Sequence, residues 1–301
     1  MIGQAISDGL LTGAIIALGA VGISLSLQIL RFANFGHGDL LTLGAYGALG
    51  FTAFATAGVP FGPLSFGWQF LIAVAIAGLF AGAVAVFVDI LVYRRLRTRN
   101  AHRLTMIFAS FGMALILRNV VLLVWGPDVH YYSRTLQIAV EILPNVRVMP
   151  DQIFVLGLAM LLVLLFYVLL RATRIGIAMR AMAESPTLAG ICGVETPKMI
   201  RLAWFISGAL AAMAGTFLGL TVQLRPEMGF NLLLAILTAA ILGGTGSLFG
   251  AVAGGLLVGL AENLSVLVVP AGYKAAMPFI LLMLILYVRP QGLFGSKEGH
   301  S

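Results

Sequence analysis

Arg31-Phe32-Ala33-Asn34-Phe35-Gly36-His37-Gly38-Asp39-Leu40 interrupts an apolar run that extends from Leu10 to Leu30 and resumes from Leu40 to Ala57. A bilayer core takes about 20 apolar residues per helical span, so each flank is close to a membrane crossing. Backbone that leaves the helix between two such spans must be buried in protein or line a wet cavity, because lipid satisfies no hydrogen bond. The two glycines permit a tight turn, and Asp39 or Asn34 can cap the helix that follows. Two readings stay open for the segment. It is either a surface turn with an ordinary cap, or a break that lines a solute pathway through Asn34, Gly36, His37, Gly38 and Asp39.

Working outward, the same pattern repeats along the chain. Further spans are expected at Phe70–Val92, Leu104–Trp125, Ile153–Leu170, Leu202–Val222, Leu248–Val269 and Ala275–Val288, with a short apolar run at Leu232–Leu242. Eleven residues rise only about 16 Å, so that short run reads as a half-helix ending within the membrane. The expected fold is all-α: a polytopic transmembrane helical bundle of about eight full spans plus one short or broken helix. It forms a single domain over residues 1–301. Composition agrees, with 60% hydrophobic and 10% charged residues against a globular norm of about 25% charged. Water would not tolerate that much apolar surface, whereas lipid accepts it.

Charge placement orients the bundle. Arg94, Arg95, Arg97, Arg99 and Arg103 form one cluster, and Arg171, Arg174, Arg180, Lys198 and Arg201 a second, so ten of the 18 basic residues occupy two short loops. Basic loops stay on the cytoplasmic side, which places the N-terminus outside and the C-terminus, with Arg289 and Lys297, inside. The loop 126–152 falls outside, with Asp128, Glu141 and Asp151 against Arg134 and Arg147. The first span follows no basic segment and reads as retained rather than as a signal peptide. A nucleic-acid patch would need stacking aromatics on a soluble fold, and the sequence offers neither.

Several chemistries have no sequence support. No Gly-Lys dipeptide occurs, so a Walker A phosphate loop is excluded. The four histidines lie on different loops, and Cys192 is the sole cysteine, so no metal-ligand spacing or disulfide framework exists. No Gly-x-Ser-x-Gly elbow marks a hydrolase. An internal echo is present instead. Gly36-His37-Gly38-Asp39-Leu40 and Gly244-Thr245-Gly246-Ser247-Leu248 share the pattern Gly-x-Gly-(Asp or Ser)-Leu. Both follow a segment running outside to inside, which makes a parallel internal repeat and adds Gly244, Thr245, Gly246 and Ser247 to the pathway candidates.

Charged residues inside spans carry a cost of about 2.5–3.5 kcal/mol at the membrane centre. Arg118 lies fourteen residues beyond Leu104 and Glu262 fourteen beyond Leu248. At 1.5 Å per residue both sit about 21 Å from the inner edge, so an intramembrane Arg118–Glu262 ion pair is expected in preference to proton coupling through Glu262. Asp89, a turn from Arg94, neighbours the inner basic cluster. In the second basic loop, Ile175–Ala183 favours helix, Ser185-Pro186 breaks it, and a second short helix can start after Ser185 with Pro at its first position.

The quoted residues also carry a family resemblance. Residues 32–50, FANFGHGDLLTLGAYGALG, residues 176–193, GIAMRAMAESPTLAGICG, and residues 242–263, LGGTGSLFGAVAGGLLVGLAEN, resemble the branched-chain amino acid ABC transporter permeases of the LivH type. The resemblance implies a permease subunit in a bacterial inner membrane, with no cofactor of its own. It would pair with a second related permease, two cytoplasmic ATP-binding subunits that bind the ATP, and an extracytoplasmic solute-binding protein. Sister permeases for urea, amides or aromatic acids leave the solute open, and an ion-coupled secondary transporter using Asp39, Asp89 and Glu262 is the competing class. Under the resemblance the cytoplasmic loop 171–201 becomes a coupling loop. Met179, Met182, Leu188 and Ile191 would supply buried apolar contacts to an ATPase, with an Arg180–Glu184 pair supporting the first helix. Ala181 and Ala189 would lie in the contact, and Gly190 and Gly193 would turn the chain back to the membrane.

Overall fold

The computed structural model describes residues 2–54, 61–133, 137–144, 146–244, 246–289 and 291–294. Ala57, Arg134, Thr245 and Lys297, named above, lie outside the described residues. Helices dominate, and their order follows the apolar pattern: α1 (Ile2–Leu30), α2 (Gly36–Phe54), α3 (Trp68–Val88), α4 (Arg94–Thr98) and α5 (Arg103–Trp125). A π-helical turn, Asp89–Tyr93, joins α3 to α4 without a break. After α5 come α6 (Pro150–Ala172), α7 (Arg174–Glu184), α8 (Pro186–Ile191), α9 (Thr196–Thr221), α10 (Met228–Gly243), α11 (Leu248–Ser265) and α12 (Met277–Val288).

Among the described residues, seven helical segments are long and apolar enough to cross a membrane. α2 and the 16-residue α10 fall outside that set, against an expectation of about eight full spans and one short helix. The all-α expectation needs one amendment. An antiparallel hairpin, β1 (Val140–Leu143) and β2 (Val146–Val148), sits between α5 and α6 in the register Val140↔Val148 and Glu141↔Arg147. It pins the start of α1, because Gln4 donates to the Arg147 carbonyl at 3.0 Å and accepts from the Arg147 amide at 2.9 Å. Nearby, the Asp151 carboxylate gathers the loops at this end, accepting from the Ser65 amide and hydroxyl and from Gln137.

α1 is the buried axis of the bundle, enclosed along most of its length. Its most extensive neighbour is α11. Gly9 and Gly13 of α1 meet Gly255 and Gly259 of α11 backbone to backbone, leaving no room for a Cβ on either side. Small residues four apart give such close approach in lipid, where dispersion and backbone contact replace the hydrophobic drive between helices. α9 fills the groove between α1, α2 and α3, while α5 and α6 present broad apolar faces outward.

Candidate functional site

Arg31, with φ of 58°, ends α1, and the chain then doubles back along it in a non-helical path. His37 lies against Gly22 and bonds the Gly19 carbonyl. Gly22 precedes the end of α1 by eight residues, so α2 begins about 12 Å inside that end at 1.5 Å per residue. Non-helical backbone at that depth needs partners from side chains. The Phe35 amide donates to Ser110 Oγ at 3.1 Å, and the Gly36 amide donates to Asn34 Oδ1 at 3.1 Å. Asn34, rather than Asp39, therefore caps α2.

The other polar residues of the segment are tied into the bundle. His37 is fully buried; one ring nitrogen faces the Gly19 carbonyl at 3.1 Å and the other the Ser207 hydroxyl at 3.4 Å. Ser26 donates to Ser207 at 2.7 Å, completing a chain across α1, α2 and α9. Gly38 packs its carbonyl on Gly229 at the start of α10, whose amide donates to Thr42 Oγ1 at 3.0 Å.

Asp39 is buried, and its Oδ1 accepts from Arg118 Nε at 3.1 Å. The Arg118 guanidinium also lies over the Phe230 ring, 4.5 Å from its centroid. The expected Arg118–Glu262 pair is thus not formed. α5 packs on α2, which carries Asp39, whereas α11 packs on α1 and α10, so the carboxylate that the packing brings to Arg118 is Asp39. Asp89 is held by Arg97 at 2.6 Å, within the Arg94–Arg103 basic cluster that the sequence places beside it.

The second glycine break behaves differently. Gly244 and Gly246 adopt φ of 100° and 112°, values that favour glycine. Ser247 caps α11 by accepting from the Gly250 amide at 3.0 Å, and Gln28 of α1 donates to the Gly246 carbonyl. The tail closes the end of α10, since the amides of Leu293 and Phe294 donate to the carbonyls of Leu242 and Gly243. The two pentads are therefore not locally equivalent: Gly36–Leu40 is the first turn of α2, whereas Gly244, Gly246 and Ser247 precede α11.

A cleft of about 810 Å³ opens among α9, α10, α11, the turn Ala271–Ala276 and α12. Its polar wall comprises Gln223, Arg225, Asn231, Glu262 and Lys274, and the rest is aliphatic or aromatic. Of the quoted stretch Phe35 lines it, whereas Asn34, Gly36, His37, Gly38 and Asp39 do not. Sequence reasoning missed Phe111, Phe230, Asn231 and Lys274 as cleft residues, and the one available signal was a charge, Glu262, within a span. Among the described residues no group of three or more His, Cys, Asp or Glu could hold a metal.

The basic loop folds as the sequence leads one to expect. Thr173 caps α7 through the Gly176 amide, and Ser185 caps α8 through the Leu188 amide, with Pro186 at its first position. Gly193, with φ of 86°, makes the turn toward α9, while Gly190 lies within α8. Its side chains divide in an unexpected way. Met179 and Met182 are each 2% exposed and Ala189 is buried, so they pack within this chain. Leu188 and Ile191 are 63% and 78% exposed and remain free to meet another surface. Arg180 donates to the Leu170 carbonyl at 2.8 Å and makes no ion pair with Glu184. Arg31 lies 3.4 Å from the carbonyls of Ala183 and Glu184, linking α7 to the first break.

Comparison with known proteins places this architecture. Residues 5–286 match the family model described as branched-chain amino acid transport system / permease component. The high-affinity branched-chain amino acid transport system permease protein LivH of Escherichia coli K12 is 31% identical over 98% of this chain and 96% of its own length. The permease protein BraD of the corresponding Pseudomonas aeruginosa system gives the same figures. A probable LivH of Methanocaldococcus jannaschii is 27% identical over 95% of this chain and 92% of its own. All three are named as transport permeases and none as an enzyme. A family model spanning nearly the whole chain, together with relatives matched end to end, shows that this chain belongs to the branched-chain amino acid transport permease family.

Proposed function

We propose that this chain is the permease subunit of an ATP-driven ABC importer for branched-chain or related amino acids, residing in a bacterial inner membrane. It forms one domain, pairs with a second related permease, and couples to two cytoplasmic ATP-binding subunits while an extracytoplasmic binding protein delivers the solute. The observation that carries this reading is the α7–α8 unit. Two exposed apolar side chains, Leu188 and Ile191, stand on a short helix whose neighbour α7 touches Arg31 at the mouth of the first break. An ATPase gripping α8 would thereby pull on the point where α1 gives way to α2.

The orientation fits two ends of the bundle. The start of α1 shares one end with the β-hairpin, whereas Arg31, α7 and the tail at Leu293–Phe294 share the other. The basic loops assign the second end to the cytoplasm, leaving the N-terminus outside and the C-terminus inside. Both α1–α2 and α10–α11 are helix–break–helix units, which supports a parallel repeat. Within it, Asn34, Gly36, His37, Gly38 and Asp39 hold the bend beside the solute pathway, and Gly244, Gly246 and Ser247 hold the second bend. An ion-coupled mechanism through Asp39 or Asp89 would have to free carboxylates already engaged by Arg118 and Arg97.

The test is the doubly substituted Leu188→Asp, Ile191→Asp chain in the assembled importer. Loss of ATPase co-purification and of ATP-driven uptake, with the permease still inserted, is the expected result. Undiminished binding and uptake would move the dock elsewhere, and uptake by this chain alone on a proton or sodium gradient would end the ABC reading.

A further inference from the structure

Glu262 has no part in the reading above, yet its position is unusual. It is 7% exposed, faces the cleft, and its carboxylate accepts no hydrogen bond from any described residue. Its oxygens are not among the sealed polar atoms that lack a partner, so they open onto the cleft, where a donor from outside the chain can reach them. Lys274 lines the same cleft. Lys274 gives one hydrogen bond to Asn263 Oδ1 at 3.0 Å, leaving further N–H groups for an acceptor. Arg225, the other cation on the wall, is occupied: with the Gln223 amide oriented to suit its neighbours, its oxygen accepts from Arg225 Nε and Nη2 at 2.8 and 2.9 Å. One anion and two cations thus share the cleft, and of the cations Lys274 has N–H groups to spare; Leu233, Leu237, Pro278 and Phe279 supply part of its apolar wall.

We propose that this cleft is a selective binding site for a zwitterionic α-amino acid with an aliphatic side chain. Glu262 takes the ammonium, Lys274 takes the carboxylate, and the side chain lies against Leu233, Leu237 and Phe279. The Glu262–Lys274 pair and the ligand are each neutral overall, so binding pairs these four charges and leaves Arg225 with its Gln223 amide partner. A simple amine or carboxylic acid leaves one wall charge and gains one partner only, which is discrimination by an unpaired buried charge. The permease would then check the solute that a binding protein hands over. This inference deepens the import reading and rests on it.

The experiment uses the assembled importer in liposomes, carrying a single reporter cysteine, Asn231→Cys, with the exposed Cys192 replaced by serine. The rate of maleimide alkylation at position 231 is measured with L-leucine, with 4-methylpentanoate, which lacks the ammonium, and with isopentylamine, which lacks the carboxylate. Leucine is expected to slow alkylation while the two analogues at equal concentration do not. Glu262→Gln is expected to raise the leucine concentration needed by about tenfold, the worth of one charge-assisted hydrogen bond. Lys274→Met gives the same reading for the carboxylate half if Glu262→Gln fails to assemble. Absence of leucine protection, or equal protection by all three compounds, overturns the site. ATP-driven leucine accumulation by the unaltered importer is read in parallel. Its absence defeats the import reading, whereas accumulation without protection defeats only this site.

Discussion

The two glycine breaks share a pattern of letters and solve opposite problems. At the first, the chain re-enters the bundle, and glycine supplies room: Gly38 is helical and lies against the backbone of Gly229. Its stray backbone groups are met by the side chains of Asn34 and Ser110, and the buried Asp39 carboxylate is paired with a part-exposed Arg118. At the second, glycine supplies conformation, because Gly244 and Gly246 take positive φ. Partners there come from Gln28 and from the backbone of the tail. The difference teaches that a Gly-x-Gly pattern marks where a helix stops, while depth decides what must replace its hydrogen bonds.

Substitutions graded by depth can break that comparison. The largest effect is expected for Arg118→Ala, which strands the Asp39 carboxylate and should cost about 3–5 kcal/mol of stability in detergent unfolding. Adding Asp39→Asn to that variant should recover part of the loss, since no buried charge is then left alone. Next comes Ser110→Ala, which leaves the Phe35 amide without its acceptor and should cost about 1–3 kcal/mol. Ser247→Ala removes an N-cap at the second break, and about 1 kcal/mol is expected from the same unfolding curves. Gln28→Ala, at an exposed contact, should stay within about 0.5 kcal/mol. A rim substitution that rivals Arg118→Ala would erase the distinction between the two breaks.

Much of this arrangement is legible in the sequence, and the failures share a cause. Asn34 as a cap, the α7–α8 break at Ser185-Pro186 and the shortness of α10 follow from local rules of caps, proline and length. The partner of Arg118 does not. Span arithmetic gives depth along the membrane normal, but pairing also needs azimuth, which depends on which helices are neighbours. The same limit misplaced Met179 and Met182: apolar spacing says that a face is buried, not whether α6 and α9 or another protein buries it. Val146-Arg147-Val148 does alternate, yet three residues are too few to announce a strand beside spans of twenty. Glu262 stands out in the sequence as a costly charge within a span, while the cleft it lines draws residues from several distant segments.

The glycine seam between α1 and α11 also constrains how the protein is made. α1 leaves the ribosome long before its principal neighbour, because α1 ends at Leu30 and α11 begins only at Leu248. Until then the seam glycines of the first helix have no α11 to meet, and the bundle cannot close around its own axis. Late closure of this kind lengthens the interval in which a nascent chain is open to wrong partners or to proteases. Chains terminated before Leu248 should therefore be inserted but short-lived, however many of their spans are intact.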